Sequence, residues 1–281
     1  MRTALVLAGG GVAGIAWELG VLRGLADLDP ALAERVIAAD VIIGTSAGSA
    51  VAAQITSGTP LDRLYQAQLS GPSAEIAVEV DLERMLLQWA EAMRGASGPI
   101  EMRRRLGALA LATETVDEPT RLAAIRARLP RAQWPERPIV LPAVDAETGA
   151  LVAFTRESGV ELVAAVAASC AVPGVWPPVT INGRRFVDGG VRSGTNADLA
   201  KGADRVLVVA PAVPGAPQGP GDLDAELAAL GPAEALVIWA DEASAAAFGN
   251  NPLSPETRGP AARAGRAVGR DGAPAVAEFW R

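Results

Sequence analysis

Val41-Ile42-Ile43-Gly44-Thr45-Ser46-Ala47-Gly48-Ser49-Ala50 is the stretch on which the reading of this chain turns. Three β-branched residues, Val41 to Ile43, predict a buried strand. The run stops at Gly44, and an alanine-rich helical segment follows. Strand, sharp turn and helix form the context that a Gly-X-Ser-X-Gly nucleophile elbow requires. Glycine at positions 44 and 48 leaves room for the reversal, which lifts the Ser46 hydroxyl out of the sheet edge. Ser46 then also stands at the positive end of the following helix, where a nearby oxyanion is stabilised. The competing reading is a helix N-cap, because Thr45 and Ser46 are both good capping residues.

Outward from the elbow, composition narrows the choice. With 281 residues, half of them apolar, the chain is long enough for one large α/β domain or two small ones, with a sizeable core. A net charge of −7 argues against a nucleic-acid partner, which would demand a basic face. It argues equally against constitutive docking on anionic lipid, leaving transient contact with a membrane surface through a local basic patch. Cys170 is the only cysteine, so no intrachain disulfide can form, which suits a reducing compartment. The first residues carry one arginine and a short apolar run, Ala4 to Ala8, which reads as a first strand and is too short for a signal peptide. The uncharged stretch from Leu162 to Ile181 is interrupted by Ser169, Pro173, Pro177 and Pro178, which disfavours a membrane span. A soluble, cytoplasmic protein is expected. The sequence contains no histidine, so a Ser-His-Asp triad and His-ligated zinc are excluded.

Thr3 to Ala8 predicts a buried parallel strand. It ends in Gly9-Gly10-Gly11-Val12-Ala13-Gly14, and Ile15, Leu19 and Leu22 then recur at helical spacing. A glycine loop of this kind can turn several backbone N–H groups toward one negative oxygen. The loop also satisfies Gly-X-Gly-X-X-Gly, which makes a dinucleotide-binding protein a rival reading. That rival expects an acidic residue ending the second strand, where this chain has Ile43-Gly44-Thr45-Ser46, with Asp40 ahead of the strand. A tight structural turn is the plainer alternative.

Residues 61–130 read as helical, an insertion covering the sheet or the site. Leu82, Met85, Leu86, Trp89 and Met93 mark an amphipathic helix whose stripe is expected in the core. Arg103-Arg104-Arg105 is expected on a solvated helix face. Leu122, Ile125 and Leu129 define a further helix, with Pro119 in its first turn. Strands return at Ile139–Val144 and Leu151–Phe154, followed by a helix near Val160–Ser169. Asn182-Gly183 between two apolar runs signals a hairpin, whose second strand delivers Asp188-Gly189-Gly190. Asp-Gly is by itself an ordinary turn. Arg205 to Ala210 reads as another buried strand. Residues 211–222, with four prolines and three glycines, read as a loop, and the remainder from about Leu223 as helical, with Leu236, Trp239 and Ala243 on one face.

The glycine loop, Gly-Thr-Ser-Ala-Gly, the block ASCAVPGVWPP (168–178) and Asp-Gly-Gly, in a chain without histidine, resemble the patatin-like phospholipases from Met1 to about Val209. The resemblance implies a three-layer α/β/α domain with a mostly parallel sheet over residues 1–210. Residues 211–281 then form a loop and C-terminal helices packed on the same domain. It further implies a serine acyl hydrolase of phospholipase A type acting on lipid or fatty-acyl esters, with Ser46 as nucleophile and Asp188 as base. The oxyanion hole falls to the glycine loop, Gly10 and Gly11 donating, with Gly9 and Gly14 shaping it; no metal or organic cofactor is implied. The family often has Arg or Lys where this chain has Ala13. An aspartate suits the role of base only where an apolar, water-poor setting raises its pKa, and Trp176, Phe186 and Val187 would supply that setting. The rivals remain a nucleotide-binding protein using Gly9–Gly14 and a catalytically silent lipid-binding scaffold.

Overall fold

Thr3–Leu7 forms strand β1, and its side chains part to opposite faces: Leu5 and Leu7 enter one apolar cluster, Ala4 and Val6 another. A strand buried on both sides lies in the middle of a layered structure. The computed structural model describes residues 1–70, 73–215 and 220–281. In it β2 (Val41–Gly44) and β7 (Arg205–Ala210) flank β1 in parallel, and β8 (Glu234–Trp239) adds to β7, also in parallel. β3 (Ile139–Asp145) pairs parallel with β2 through Ile139 and Val140, then antiparallel with β4 (Leu151–Phe154) and β6 (Arg184–Asp188). β5 (Val179–Ile181) and β6 make the expected hairpin. Its turn residues Asn182 and Gly183 have φ of 51° and 77°, the positive values that a two-residue turn of this hand needs.

Helices cover the sheet on both sides. One face carries α1 (Gly11–Leu28), α3 (Ala47–Ile55), α8 (Leu162–Ser169) and α11 (Arg258–Phe279). Around them lie α2 (Pro30–Ile37), α4 (Leu61–Leu69), α7 (Glu118–Arg128) and α10 (Glu242–Phe248). The other face is covered by a helical turn at 197–200, by α9 (Leu223–Ala228), and, over β3 and β6, by α5 (Leu82–Met93) and α6 (Pro99–Ala112). α1 and α11 lie almost backbone to backbone. A Cβ on Gly265 would stand 2.1 Å from the Trp17 carbonyl oxygen, and one on Gly269 would stand 2.1 Å from that of Val21. This contact anchors α1, and with it the glycine loop at its head. No helix among the described residues is long and apolar enough to cross a membrane.

Three sequence expectations need correction. The region after Leu223 is not wholly helical, because Glu234–Trp239 is strand β8. Leu236 and Trp239, three apart, imitate a helical stripe. The deciding signal is the alternation: Leu236 and Ile238 pack into one cluster, Val237 and Trp239 into the other. Residues 73–80 carry no regular secondary structure, so the 61–130 insertion is four helices broken by an irregular stretch. Leu86 is not core: it is 43% exposed, while Met85, Trp89, Ala92 and Met93 of α5 pack into the cluster that α6 shares. The glycine- and proline-rich loop falls in part on residues 216–219, outside those described.

Candidate active site

β2 ends at Gly44, and the chain reverses through Ser46 at φ 51°, ψ −113°, a conformation that residues with a Cβ rarely hold. The reversal brings backbones into contact. A Cβ at Gly44 would meet the Gly48 carbonyl oxygen at 2.4 Å, and one at Gly48 would meet that of Leu7 at 2.1 Å. Glycine at both positions is thus a steric requirement. Ser46 stands at the N-cap position of α3, yet its side chain does not cap the helix. Its hydroxyl donates instead to Asp188 Oδ2 at 2.8 Å.

The elbow is held from several directions. The Ser46 N–H donates to Ser169 Oγ at 3.0 Å, and its carbonyl accepts from Ser49 Oγ at 2.6 Å and from the Cys170 thiol at 3.0 Å. Thr45 Oγ1 donates to the Thr195 carbonyl and accepts from Asn196 Nδ2, both at 3.1 Å. These bonds fix Ser46 through its backbone and leave the hydroxyl to one partner.

Asp188 closes β6. Its N–H donates to the Ala171 carbonyl at 3.0 Å, and its Oδ1 accepts the Gly190 N–H at 2.7 Å. Burial pushes its pKa up from 3.8 to about 7, against the opposing pull of the Gly190 N–H, the Ser46 hydroxyl and the Arg121 charge. At neutral pH this carboxyl is therefore both a hydrogen-bond acceptor and a competent proton acceptor.

In the glycine loop, the Gly9 N–H is taken by the Gly194 carbonyl and the Gly14 N–H by the Gly10 carbonyl, both at 2.8 Å. The N–H groups of Gly10 and Gly11 donate to no acceptor among the described residues. Side chains are barred here too. A Cβ at Gly10 would lie 2.5 Å from Pro211 Cγ, and Gly11, at φ 66°, would put one 2.8 Å from the Pro252 carbonyl oxygen. Ala13 is fully buried in the core.

Gly11, Ser46, Arg121, Cys170, Trp176 and Leu253 share the wall of a small cavity of about 20 Å³, the size of a single water site. Arg121 and Leu253 escaped the sequence reading. For Arg121 a signal existed: it lies four residues before Ile125, on the buried stripe of α7, where a charge is out of place. Leu253 had none, since only the packing of the C-terminal segment brings it beside Gly11. Ser46 and Asp188, 142 residues apart, are brought into hydrogen-bond contact.

A sequence model of the patatin-like phospholipases matches residues 5–201. No curated protein sequence matches the chain. Among solved structures, VipD from Legionella pneumophila is similar over 75% of this chain and 50% of its own, at 14% identity and a TM-score of 0.39. The type III effector protein ExoU is similar over 98% and 53%, at 16% identity and a TM-score of 0.42. The chain thus spans about half the length of each. The family match takes in, in order, the glycine loop, the elbow and the Asp188 strand, and covers well over half of the sequence. The chain belongs to the patatin-like phospholipases, a family of hydrolases that cleave carboxylic esters of lipids.

Proposed function

We propose that this protein is a phospholipase A-type lipid acyl hydrolase working through a Ser46–Asp188 dyad and an acyl-enzyme. The observation that carries the reading is the 2.8 Å hydrogen bond from the Ser46 hydroxyl to a buried carboxylate whose pKa lies at about 7. In the ionised state Asp188 takes the hydroxyl proton as Ser46 Oγ attacks the ester carbonyl. The tetrahedral oxyanion is met by the N–H groups of Gly10 and Gly11, aided by the positive end of α1. Collapse expels the alcohol, which receives its proton from Asp188, and leaves Ser46 acylated. Water then gives its proton to Asp188 and attacks the acyl carbon. The second collapse releases the carboxylic acid and returns the proton to Ser46. One carboxyl thus serves as base and then acid in both halves, starting from the contact it already makes with the Ser46 hydroxyl.

The test is a panel of p-nitrophenyl esters and phospholipids on wild type and Ser46→Ala, with fluorophosphonate labelling followed by mass spectrometry. Turnover lost in Ser46→Ala, with the label on Ser46 in wild type and an unchanged melting temperature, is the expected outcome. A variant that keeps wild-type turnover ends the assignment.

A further inference from the structure

Two arginines of α7 face the cavity beside Ser46, and one of them lacks a partner. Arg128 is clasped by Glu75: Nε reaches Oε1 at 2.8 Å, Nη2 pairs with Oε2, and both side chains are almost fully buried. Arg121 is 3% exposed and has no such clasp. Among the described residues its Nε and Nη1 are buried without a hydrogen-bond partner. The guanidinium carbon sits 3.7 Å from the ring centroid of Trp176, which holds the side chain in place but satisfies none of its N–H groups. The acids that reach it act through space only. Glu75 is engaged by Arg128, and Asp188 by Ser46 and Gly190. A buried cation left this way lowers the stability of the fold. Its loss is compensated when an anion binds.

Arg121 lines only the small cavity, and the space that suits an anion opens on the far side of Arg128. A second cavity, of about 380 Å³, shares Val12, Ile15 and Arg128 with the small one. Its walls add Arg63 and Arg258, so three arginines face a single carboxylate, Glu75. Guanidinium groups bind phosphate or carboxylate through paired, charge-assisted hydrogen bonds.

We infer that Arg121, beside Arg128, is the anion-recognition residue of the substrate site. It takes a phosphate or carboxylate oxygen carried close to the scissile ester carbonyl. The protein thereby selects anionic acyl esters over neutral ones. The inference deepens the reading of Ser46 as nucleophile, but the binding it describes does not depend on turnover.

Two measurements separate the claims. Ser46→Ala is titrated calorimetrically with a short-chain 1-acylglycerol 3-phosphate, a short-chain monoacylglycerol hemisuccinate, and the neutral monoacylglycerol of equal chain length. Arg121→Met is then introduced into both Ser46→Ala and wild type. At least one anionic ester should bind Ser46→Ala more than tenfold tighter than the neutral one, and the phosphate and carboxylate arms identify which anion. Arg121→Met should reduce that preference, and the anionic-to-neutral ratio of kcat/KM, by about 10- to 100-fold, as loss of a charge-assisted hydrogen bond requires. Kinetics are read near pH 9, above the ionisation of Asp188, so that its pKa does not enter. Arg121→Met should also melt at or above the wild-type temperature, since an unpaired buried charge has gone. Arg121→Gln repeats the measurement should the methionine variant not fold. An unchanged ratio, or a melting temperature that collapses in both variants, overturns the site. Preference without turnover would sink the Ser46 reading alone, and turnover without preference would sink this one alone.

Discussion

Asp188 should give the pH–rate profile a rising limb near pH 7. The rise from 3.8 to about 7 amounts to about 4 kcal/mol against the ionised form. Burial is the main cause, and the Gly190 N–H, the Ser46 hydroxyl and Arg121 only partly offset it. Only ionised Asp188 can accept the serine proton, so activity falls as pH drops through this value. kcat/KM, which reports the free enzyme, should be half-maximal near pH 7, fall tenfold per unit below it, and retain about 1% at pH 5. The assay is unusually diagnostic here, because a chain with no histidine has no imidazole to produce such a limb. Asp188→Asn keeps the shape and the Gly190 contact but cannot take the proton, and should lower kcat by about 10²- to 10⁴-fold. Arg121→Met removes a positive charge that favours the ionised carboxyl, so its limb should move to higher pH. A wild-type limb below pH 5 would mean that the site does not desolvate Asp188. A limb near 7 that persists in Asp188→Asn at near wild-type rate would remove the base from this residue.

Two further expectations concern the scaffold. Glu18, in α1, is fully buried, and burial raises its pKa well above 4.5, opposed only by the nearby Ala8 N–H, which the Val209 carbonyl already takes. The folded state then holds a proton that the unfolded chain releases, so stability falls as pH rises above about 4.5. Glu18→Gln should melt higher than wild type at pH 8 and lose that advantage by pH 4, and a gain equal at both pH values would contradict the reasoning. At the elbow, Gly48→Ala drives a Cβ toward the Leu7 carbonyl at 2.1 Å, backbone against backbone. It should cost about 1–3 kcal/mol or more, read as a fall in urea midpoint, and a wild-type midpoint would show that β1 and α3 can separate cheaply.

The parts of the fold that the sequence discloses are those set by local chemistry. The elbow is legible because two glycines and a serine after a β-branched run have few other uses, and the Asn182-Gly183 hairpin because its turn demands two positive φ values. The glycine loop is legible as a turn but not in its division of labour. That Gly9 and Gly14 spend their N–H groups on Gly194 and Gly10 depends on where distant backbone lies. β8 is hidden for a different reason. In EALVIW every residue from 235 on is apolar, so an edge strand with neighbours on both faces and a helix present nearly the same string.

Arg121 marks the boundary of what such a reading can reach. On a helical wheel it is a charge on the wrong stripe, and the ordinary resolution would be a buried ion pair or a side chain that turns to solvent. The fold provides neither. Glu75, the one acid within reach of α7 from the irregular 73–80 stretch, is already taken by Arg128, and Trp176 pins the guanidinium over its ring. The cavity therefore joins a carboxyl that burial pushes toward neutrality and an arginine that burial leaves without a counter-ion. Stability alone would favour neither arrangement, since an apolar residue at 121 and a solvated Asp188 would both relieve it. The proposed anionic-ester site accounts for both at once: a carboxyl beside Ser46 whose proton affinity burial raises, and a cation left without a counter-ion.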